Sequence, residues 1–575
     1  MFKLLKYMED YKWKALSAPF FKLLECVFEL FVPLVMTRII DIGIANGDRD
    51  YVLRMSMVLV GLAVVGFACT CMAQYFAAKA SALFIQNVKH ATFKHIESLS
   101  YRQLDDLGTS TLMTRLTSDM NQVQTGTNLA LRLLLRSPFI VFGAMVMAFT
   151  IDFQMALIFA VAIPVLGAVV AWIMLTSLPL YSRVQNELDD VLRLTRENLT
   201  GIRVIRAFNL QSREKEHYDR ESDELMHSNI VVGNISALLN PLTYVIINVA
   251  VIVLLYSGAL KVNSGVLSSG QIVAMYNYMS QILVELIKLA SLIITITKSI
   301  TCGNRIEQIL EITPEIDFTG EKVSDGKEMA VEFDHVSFNY HADSEEALSD
   351  ISFKVKAGDT VGIIGSTGSG KSTVVNLIPR FYEATSGEVK VNGHNVNDLD
   401  PESLRSIIAM VPQKAVLFKG TVRSNLLWGN DQAEDRELVE ALKQAQSYDF
   451  IMKKEGLDTV VEQGGSNFSG GQRQRLTIAR ALVRKPQILV LDDSASALDY
   501  LTETQLRKTV RELPYPHTTF IVSQRTSSIK HADMILVLDD GKLVGKGTHE
   551  QLLENCAVYQ EIYYSQYPKE DGAHE

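Results

Sequence analysis

Long runs without a charged residue constrain this chain more than any other feature. Met55–Ala78, Phe153–Ser182, Ser228–Leu260 and Val262–Val284 contain no Asp, Glu, Lys or Arg, and a helix needs about 20 apolar residues to cross a bilayer. Ser137–Ile151 is shorter and needs Leu131–Leu135 to complete a span. Ala15–Ile40 is the weakest, because Lys22, Glu25 and Glu29 interrupt it. Six spans are expected. Their connections differ in kind: Gly43–Arg54, Ile151–Gln154 and Lys261–Gly270 are short, whereas Lys79–Arg136 and Arg183–His227 are long and rich in Lys and Arg. The positive-inside rule puts those long stretches and both termini in the cytoplasm. Met1–Lys14 alternates lysines with apolar and aromatic residues and reads as an amphipathic helix at the membrane surface, not a cleaved leader.

Charges inside spans are costly and point to function or to internal pairing. Lys22, Glu25 and Glu29 share one helix face, and Glu285 and Lys288 form an i,i+3 pair. With Asn248, Asn277 and Gln281 they either line a polar translocation cavity or pair among themselves. The net charge of −10 argues against a nucleic-acid partner. Cys26, Cys69, Cys71, Cys302 and Cys556 lack metal-ligand spacing, and Cys69 and Cys71 lie in an apolar run that suggests buried thiols.

From Gly303 the apolar runs stop, and Pro314, Gly320 and Gly326 mark a boundary. The expected division is a membrane domain over 1–310, a linker over 311–330, an α/β domain over 331–566 and a tail over 567–575. Beyond the boundary stands Gly365-Ser366-Thr367-Gly368-Ser369-Gly370-Lys371-Ser372-Thr373, between the strand pattern Thr360–Ile364 and the helical pattern Val374–Ile378. That is the context of a P-loop. Its glycines allow backbone N–H groups to turn toward phosphate oxygens at a helix N-terminus. Lys371 is placed for the β- and γ-phosphates, and the Ser372 hydroxyl for Mg²⁺. The run Ile488–Leu491 ends in Asp492, a second Mg²⁺-directed group. The fold class expected is an all-α six-helix membrane domain followed by an α/β P-loop domain.

The P-loop, Phe468-Ser469-Gly470-Gly471-Gln472-Arg473-Gln474-Arg475 and Leu489–Asp492 together resemble an ATP-binding cassette domain. With the spans ahead of it, residues 15 to 565 resemble a half-transporter of the ATP-binding cassette exporter family. The resemblance implies ATP and Mg²⁺ as cofactors and two cassettes meeting head to tail. Each ATP is then held between one chain's P-loop and the other chain's Ser469–Gln472 signature. It further implies that Tyr340 stacks on adenine, that Gln413 joins Ser372 and Asp492 at Mg²⁺, and that Asp499 lies where the cassettes touch. Coupling helices are implied near 104–112 and 201–208.

The sequence departs from that family pattern in the hydrolytic residues. Asp493 stands where the catalytic glutamate is expected, its carboxylate held roughly 1–1.5 Å further from the attacking water. Gln524 stands where the switch histidine is expected, and an amide cannot become cationic. Gln463 replaces an acidic residue before the signature, with Glu462 adjacent. These departures read as an impaired site in a heterodimer. On that reading the partner is a second, different half-transporter in a bacterial plasma membrane, and the cargo a drug-like small molecule. The alternatives are a homodimeric exporter of one lipid, peptide or tetrapyrrole, and a non-transporting regulatory subunit.

Overall fold

The computed structural model describes residues 1–316, 320–323, 328–341 and 344–567. The tail expected over 567–575 therefore lies outside the described residues after Tyr567, as do parts of the expected linker, 317–319 and 324–327. The chain divides into two compact units: Met1–Glu97 with Gly108–Thr313, and Ser98–Leu107 with Pro314–Glu575.

The first unit is all helical. Its main elements are α1 (Lys12–Arg38) and α2 (Arg49–Glu97), then, after the short α3 (Tyr101–Leu107) that belongs to the other unit, α4 (Thr109–Ile151), α5 (Phe153–Thr200), the short α6 (Ile202–Ala207), α7 (Gln211–Asn263) and α8 (Ser269–Leu310). Among the described residues five helices are long and apolar enough to cross a membrane: α2, α4, α5, α7 and α8. The sixth expected span, α1, does not meet that criterion, because Lys22, Glu25 and Glu29 break its apolar run.

Local chemistry sets the ends of these helices. Asp152 caps α5 by accepting from the Met155 N–H at 2.8 Å, and Lys261 bonds the same carboxylate at 2.7 Å, tying the end of α7 to the start of α5. Ser268 and Gln271 form a capping box that starts α8. Asp41 receives the Gly270 N–H at 2.8 Å, and a side chain at Gly270 would come within 2.7 Å of the Thr37 carbonyl. The helical hydrogen bonding is interrupted at Leu238 within α7, where Pro241 has no N–H to offer the carbonyl four residues earlier. Phe159, Leu254, Met275 and Tyr278 form the buried centre, and the Tyr278 hydroxyl donates to the Leu30 carbonyl at 2.7 Å. All five cysteines are free; Cys69 is buried as expected and Cys71 is exposed, one residue type on two faces of α2.

Among the described residues the second unit holds two main sheets and a small ribbon that pairs Gly420–Thr421 with Val460–Val461. An antiparallel sheet of order β2-β1-β4-β5 is formed by β1 (Met329–Phe338), β2 (Leu348–Lys356), β4 (Ser386–Val391) and β5 (His394–Asn395). The other has the order β10-β9-β3-β8-β7-β6. Its strands are β3 (Thr360–Gly365), β6 (Ile408–Val411), β7 (Ile488–Asp492), β8 (Thr518–Val522), β9 (Met534–Asp539) and β10 (Lys542–Gly547). All neighbours in it are parallel except the edge strand β10. Strands covered on both faces read as continuous apolar runs, as Ile488–Leu491 does. Four helices bear on the nucleotide site: α9 (Lys371–Leu377), α10 (Gly470–Val483), α11 (Tyr500–Arg511) and α12 (Ala557–Gln566). The α3 segment packs within this unit: the Tyr101 ring lies 4.6 Å from that of Phe381, and the Tyr382 hydroxyl donates to Asp105 at 2.7 Å. Burial pushes the Tyr382 phenol well above its usual value, and the Asp105 charge adds to that.

Candidate nucleotide site

Parallel strands deliver the loops at their C-terminal ends to one edge of the sheet, and ligands bind outside that edge. Here β3 runs into the P-loop, β7 ends in Asp492, β6 leads to Gln413, and β8 leads to Gln524. Register aligns them: Val522 pairs with both Ile363 and Asp492. Residues far apart in sequence are thus brought to one edge.

The loop is held tightly. Gly370 has φ +90°, and a side chain there would meet the Ala347 carbonyl at 2.8 Å. A side chain at Gly365 would come within 2.1 Å of the Leu538 carbonyl, so only glycine lets β3 and β9 approach there. Ser366, Thr367 and Gly368 are exposed at the loop tip, while Ser369 is buried beneath it. The Lys371 ammonium folds over the loop, donating to the Gly365 carbonyl at 3.1 Å and to that of Ser366 at 2.6 Å. Burial lowers its pKa from the usual lysine range, against the opposing charges of Asp493 and Asp492. Its third contact is the Ser369 hydroxyl at 3.5 Å, and all three donors are ready to exchange these partners for phosphate oxygens.

Ser372 Oγ donates to Asp492 Oδ1 at 3.0 Å. Burial raises the Asp492 pKa, and the Ser372 hydrogen bond opposes that rise. A hydroxyl beside a buried carboxylate, with the Gln413 amide nearby on β6's exit, is a hard-oxygen set of the kind that suits Mg²⁺. Gln413 Nε2 also donates to Asp493 Oδ2 at 3.2 Å, which brings Gln413, Asp492 and Asp493 together. Asp493 has φ +44°, in the left-handed region that Asp and Asn tolerate best among residues with a side chain.

Tyr340 is half-buried, and its hydroxyl lies 3.0 Å from Thr373 Oγ1 at the start of α9. Its ring meets Phe338 and Tyr382 edge-on at 4.9 and 5.4 Å, which leaves it positioned beside the P-loop helix. Gln524 is exposed. Its backbone carbonyl accepts from Gln566 Nε2 at 2.8 Å, and Gln566 Oε1 accepts from Thr526 at 2.9 and 3.0 Å. Gln566 is a residue that sequence reasoning missed, since nothing local to α12 signals a contact with residues some forty positions earlier.

The signature segment stands apart. Ser469 caps α10 in a capping box with Gln472, and Ser469 and Gly470 are exposed. A side chain at Gly471 would meet the Ala497 carbonyl at 2.9 Å, and Gln474 accepts from the Ala497 N–H at 3.2 Å. Asp499 caps α11 through Thr502. Among the described residues no hydrogen bond joins the signature to the P-loop, so within one chain these two halves of the expected site are not brought together.

The ABC transporter transmembrane region family matches residues 16–286, and the ABC transporter family matches residues 348–496. An uncharacterized ABC transporter ATP-binding protein of Bacillus subtilis (strain 168) is 36% identical over 571 residues, covering 99% of each chain. An ATP-dependent lipid A-core flippase of Yersinia pestis is 29% identical over 562 residues, covering 97% of this chain and 96% of that one. The solved structure of a bacterial Atm1-family ABC exporter with ATP bound superposes with a TM-score of 0.81 at 25% identity, over 97% of this chain and 99% of that one.

These end-to-end matches correct three expectations. The chain is not a degenerate-site subunit of a multidrug-type pair, its partner is not a second, different half-transporter, and its cargo is not drug-like. The relatives are a lipid A-core flippase and an Atm1-family exporter. The physical reason is that Asp493 and Gln524 bear on how fast a site turns over. Nothing in those two side chains dictates which chain faces them, and uncharged spans do not tell a drug from a lipid.

Proposed function

The chain belongs to the ABC transporter family, and on that premise we propose that two copies of it form an ATP-driven exporter of lipid or glycolipid molecules. It is an ATP hydrolase coupled to transport, a multi-pass protein of the bacterial inner membrane with its cassette in the cytoplasm. The observation that carries the lipid reading is the match to a lipid A-core flippase over nearly the whole of both chains.

Two copies follow from the economy of the site. Each chain carries a P-loop and an exposed signature that do not meet, and a head-to-tail pair supplies each P-loop with the other copy's Ser469, Gly470, Gly471 and Gln472. The donors of Ser469 and the α10 N-terminus then face the γ-phosphate. ATP gains these contacts only in the closed pair, and that difference in affinity drives closure. The exposed Ile202, Val204 and Phe208 around α6 suit docking on a second copy. Coupling segments at 104–112 and 201–208 pass closure to a membrane domain over 1–310, joined through 311–330 to the cassette at 331–566. The 27-residue α1, about 40 Å long, serves as a sixth crossing in which buried charges are paired with other helices.

Within each site, Gly365 to Thr373 cradle the phosphates, Tyr340 stacks on adenine, and Ser372, Gln413 and Asp492 hold Mg²⁺. Asp493 orients the attacking water, and Gln524 hydrogen-bonds the γ-phosphate without adding charge, so hydrolysis is slow. Asp499 lies at the contact between the two cassettes. The test is reconstitution of this chain alone in vesicles, with ATP hydrolysis and movement of a fluorescent lipid measured together. A dimer that does both, and loses both with Lys371→Ala, supports the reading. A lone chain that stays monomeric or hydrolyses no ATP overturns it.

A further inference from the structure

The charges in the membrane unit converge on a residue that the sequence did not single out. Arg136, in α4, reaches Glu25 at 3.3 Å, Glu29 at 3.0 Å and Glu285 at 3.5 Å. Lys22 pairs with Glu25 at 2.6 Å, and Lys288 with Glu285 at 3.0 Å. Ser137 donates to Glu285 at 2.9 Å. The cluster therefore holds Lys22, Arg136 and Lys288 against Glu25, Glu29 and Glu285, and its charges cancel.

A cavity of about 430 Å³ opens on this cluster between α1, α4 and α8, lined by Glu29, Arg136, Asn277, Ser280, Gln281 and Lys288, among others. Two buried polar atoms at its wall have no partner among the described residues: Gln281 Oε1, an acceptor, and Arg136 Nε, a donor. Between α1 and α4 lies an apolar groove of about 540 Å³ lined by Leu23, Leu30, Leu135, Phe139, Phe142 and Met147. The polar and apolar sites are contiguous in the chain, Glu29 beside Leu30 and Arg136 beside Leu135.

We propose that this cavity binds the uncharged, hydroxyl-bearing headgroup of a lipid, a sugar-type headgroup, with an acyl chain in the groove that α1 and α4 also line; the assignment rests on the lipid-exporter reading. A headgroup of one net charge finds no unpaired counter-charge in this balanced cluster, whereas an uncharged one needs none. A hydroxyl both donates and accepts, and so matches an orphaned acceptor such as Gln281 Oε1 and an orphaned donor such as Arg136 Nε. The groove supplies the complement for the hydrocarbon.

The test uses the full-length chain in phosphatidylcholine vesicles doped with diglucosyl diacylglycerol, phosphatidylethanolamine, phosphatidylglycerol or cardiolipin. Stimulated ATP hydrolysis and lipid translocation are read alongside cross-linking by a photoreactive diglucosyl lipid. The glycolipid is expected to stimulate most and to label residues 277–288. Gln281→Leu, which removes one hydrogen bond, raises the glycolipid concentration for half-maximal stimulation about fivefold. Ser280→Ala shifts it in the same direction, and Asn248→Ala, outside the cavity, leaves it where it was. Equal or greater stimulation by phosphatidylethanolamine or the anionic lipids, or an unchanged response in both α8 variants, overturns the headgroup assignment while lipid export stands. Labelling at 277–288 with no lipid moved overturns lipid export instead.

Discussion

Gln413 donates from Nε2 to the Asp493 carboxylate at 3.2 Å, on neighbouring strand exits of the cassette sheet. The shorter acid is thus held by the amide that we propose for the Mg²⁺ site, and the left-handed backbone at 493 favours Asp over Glu. Asp493→Asn keeps the geometry and removes the base, and it should cut ATP hydrolysis by on the order of 10²-fold with ATP affinity retained. Asp493→Glu restores the longer reach and should raise turnover, by up to about 10²-fold if a full ångström is recovered. Steady-state ATPase assays with a fluorescent-nucleotide titration decide both. A Glu variant no faster than the native chain would mean that Asp493 already stands at the productive distance.

Gln566 carries three hydrogen bonds to the segment that holds Gln524, one through its amide nitrogen and two through its oxygen. Gln566→Leu should therefore loosen Gln524 and slow hydrolysis several-fold, at about 1 kcal/mol per lost bond, without changing ATP affinity. Gln566→Glu keeps the acceptor and should lose less. If both variants hydrolyse at the native rate, the contact only fastens the end of α12.

Tyr101 and Asp105 of α3 reach Phe381 and Tyr382. An aromatic pair of this kind contributes about 0.5–1.5 kcal/mol. Tyr101→Ala should leave basal ATP hydrolysis nearly intact and lower the lipid moved per ATP. The ratio of translocation to hydrolysis in one vesicle preparation measures it, and a ratio equal to the native one would rule out a coupling role for this contact.

His549 lies 2.7 Å from the Tyr559 hydroxyl, and burial lowers its pKa, with Lys530 and His531 acting in the same direction and Glu550 against it. Because the folded state disfavours the charged ring, stability is full above the unfolded value of about 6.5. It falls as pH drops from there toward the lowered native value, below which the loss is constant. His549→Gln should flatten that step. Thermal unfolding of the vesicle-reconstituted chain between pH 5 and 8 checks the sign, and a native chain that gains stability on acidification through this range would contradict it.

Neighbouring residues along the chain are enough to establish the two halves of this protein. Uncharged runs of span length have no soluble alternative in such number, and Gly365–Thr373 between a strand and a helix has one common use. Those are local signals, carried by neighbours in the chain. The tertiary structure decided what depends on residues distant in sequence. Arg136 gathers Glu25, Glu29 and Glu285 from two other helices, and its own neighbours give no hint of that. Gln566 reaches Gln524 only because the chain returns to the sheet at its end. The charges that break the apolar run of α1 looked like a defect in a span; paired across helices, they are compensated ions. Asp493 and Gln524 do not specify a different partner chain, for the same reason. Side chains at one site set its chemistry, while the identity of what faces that site is a property of the assembled surfaces.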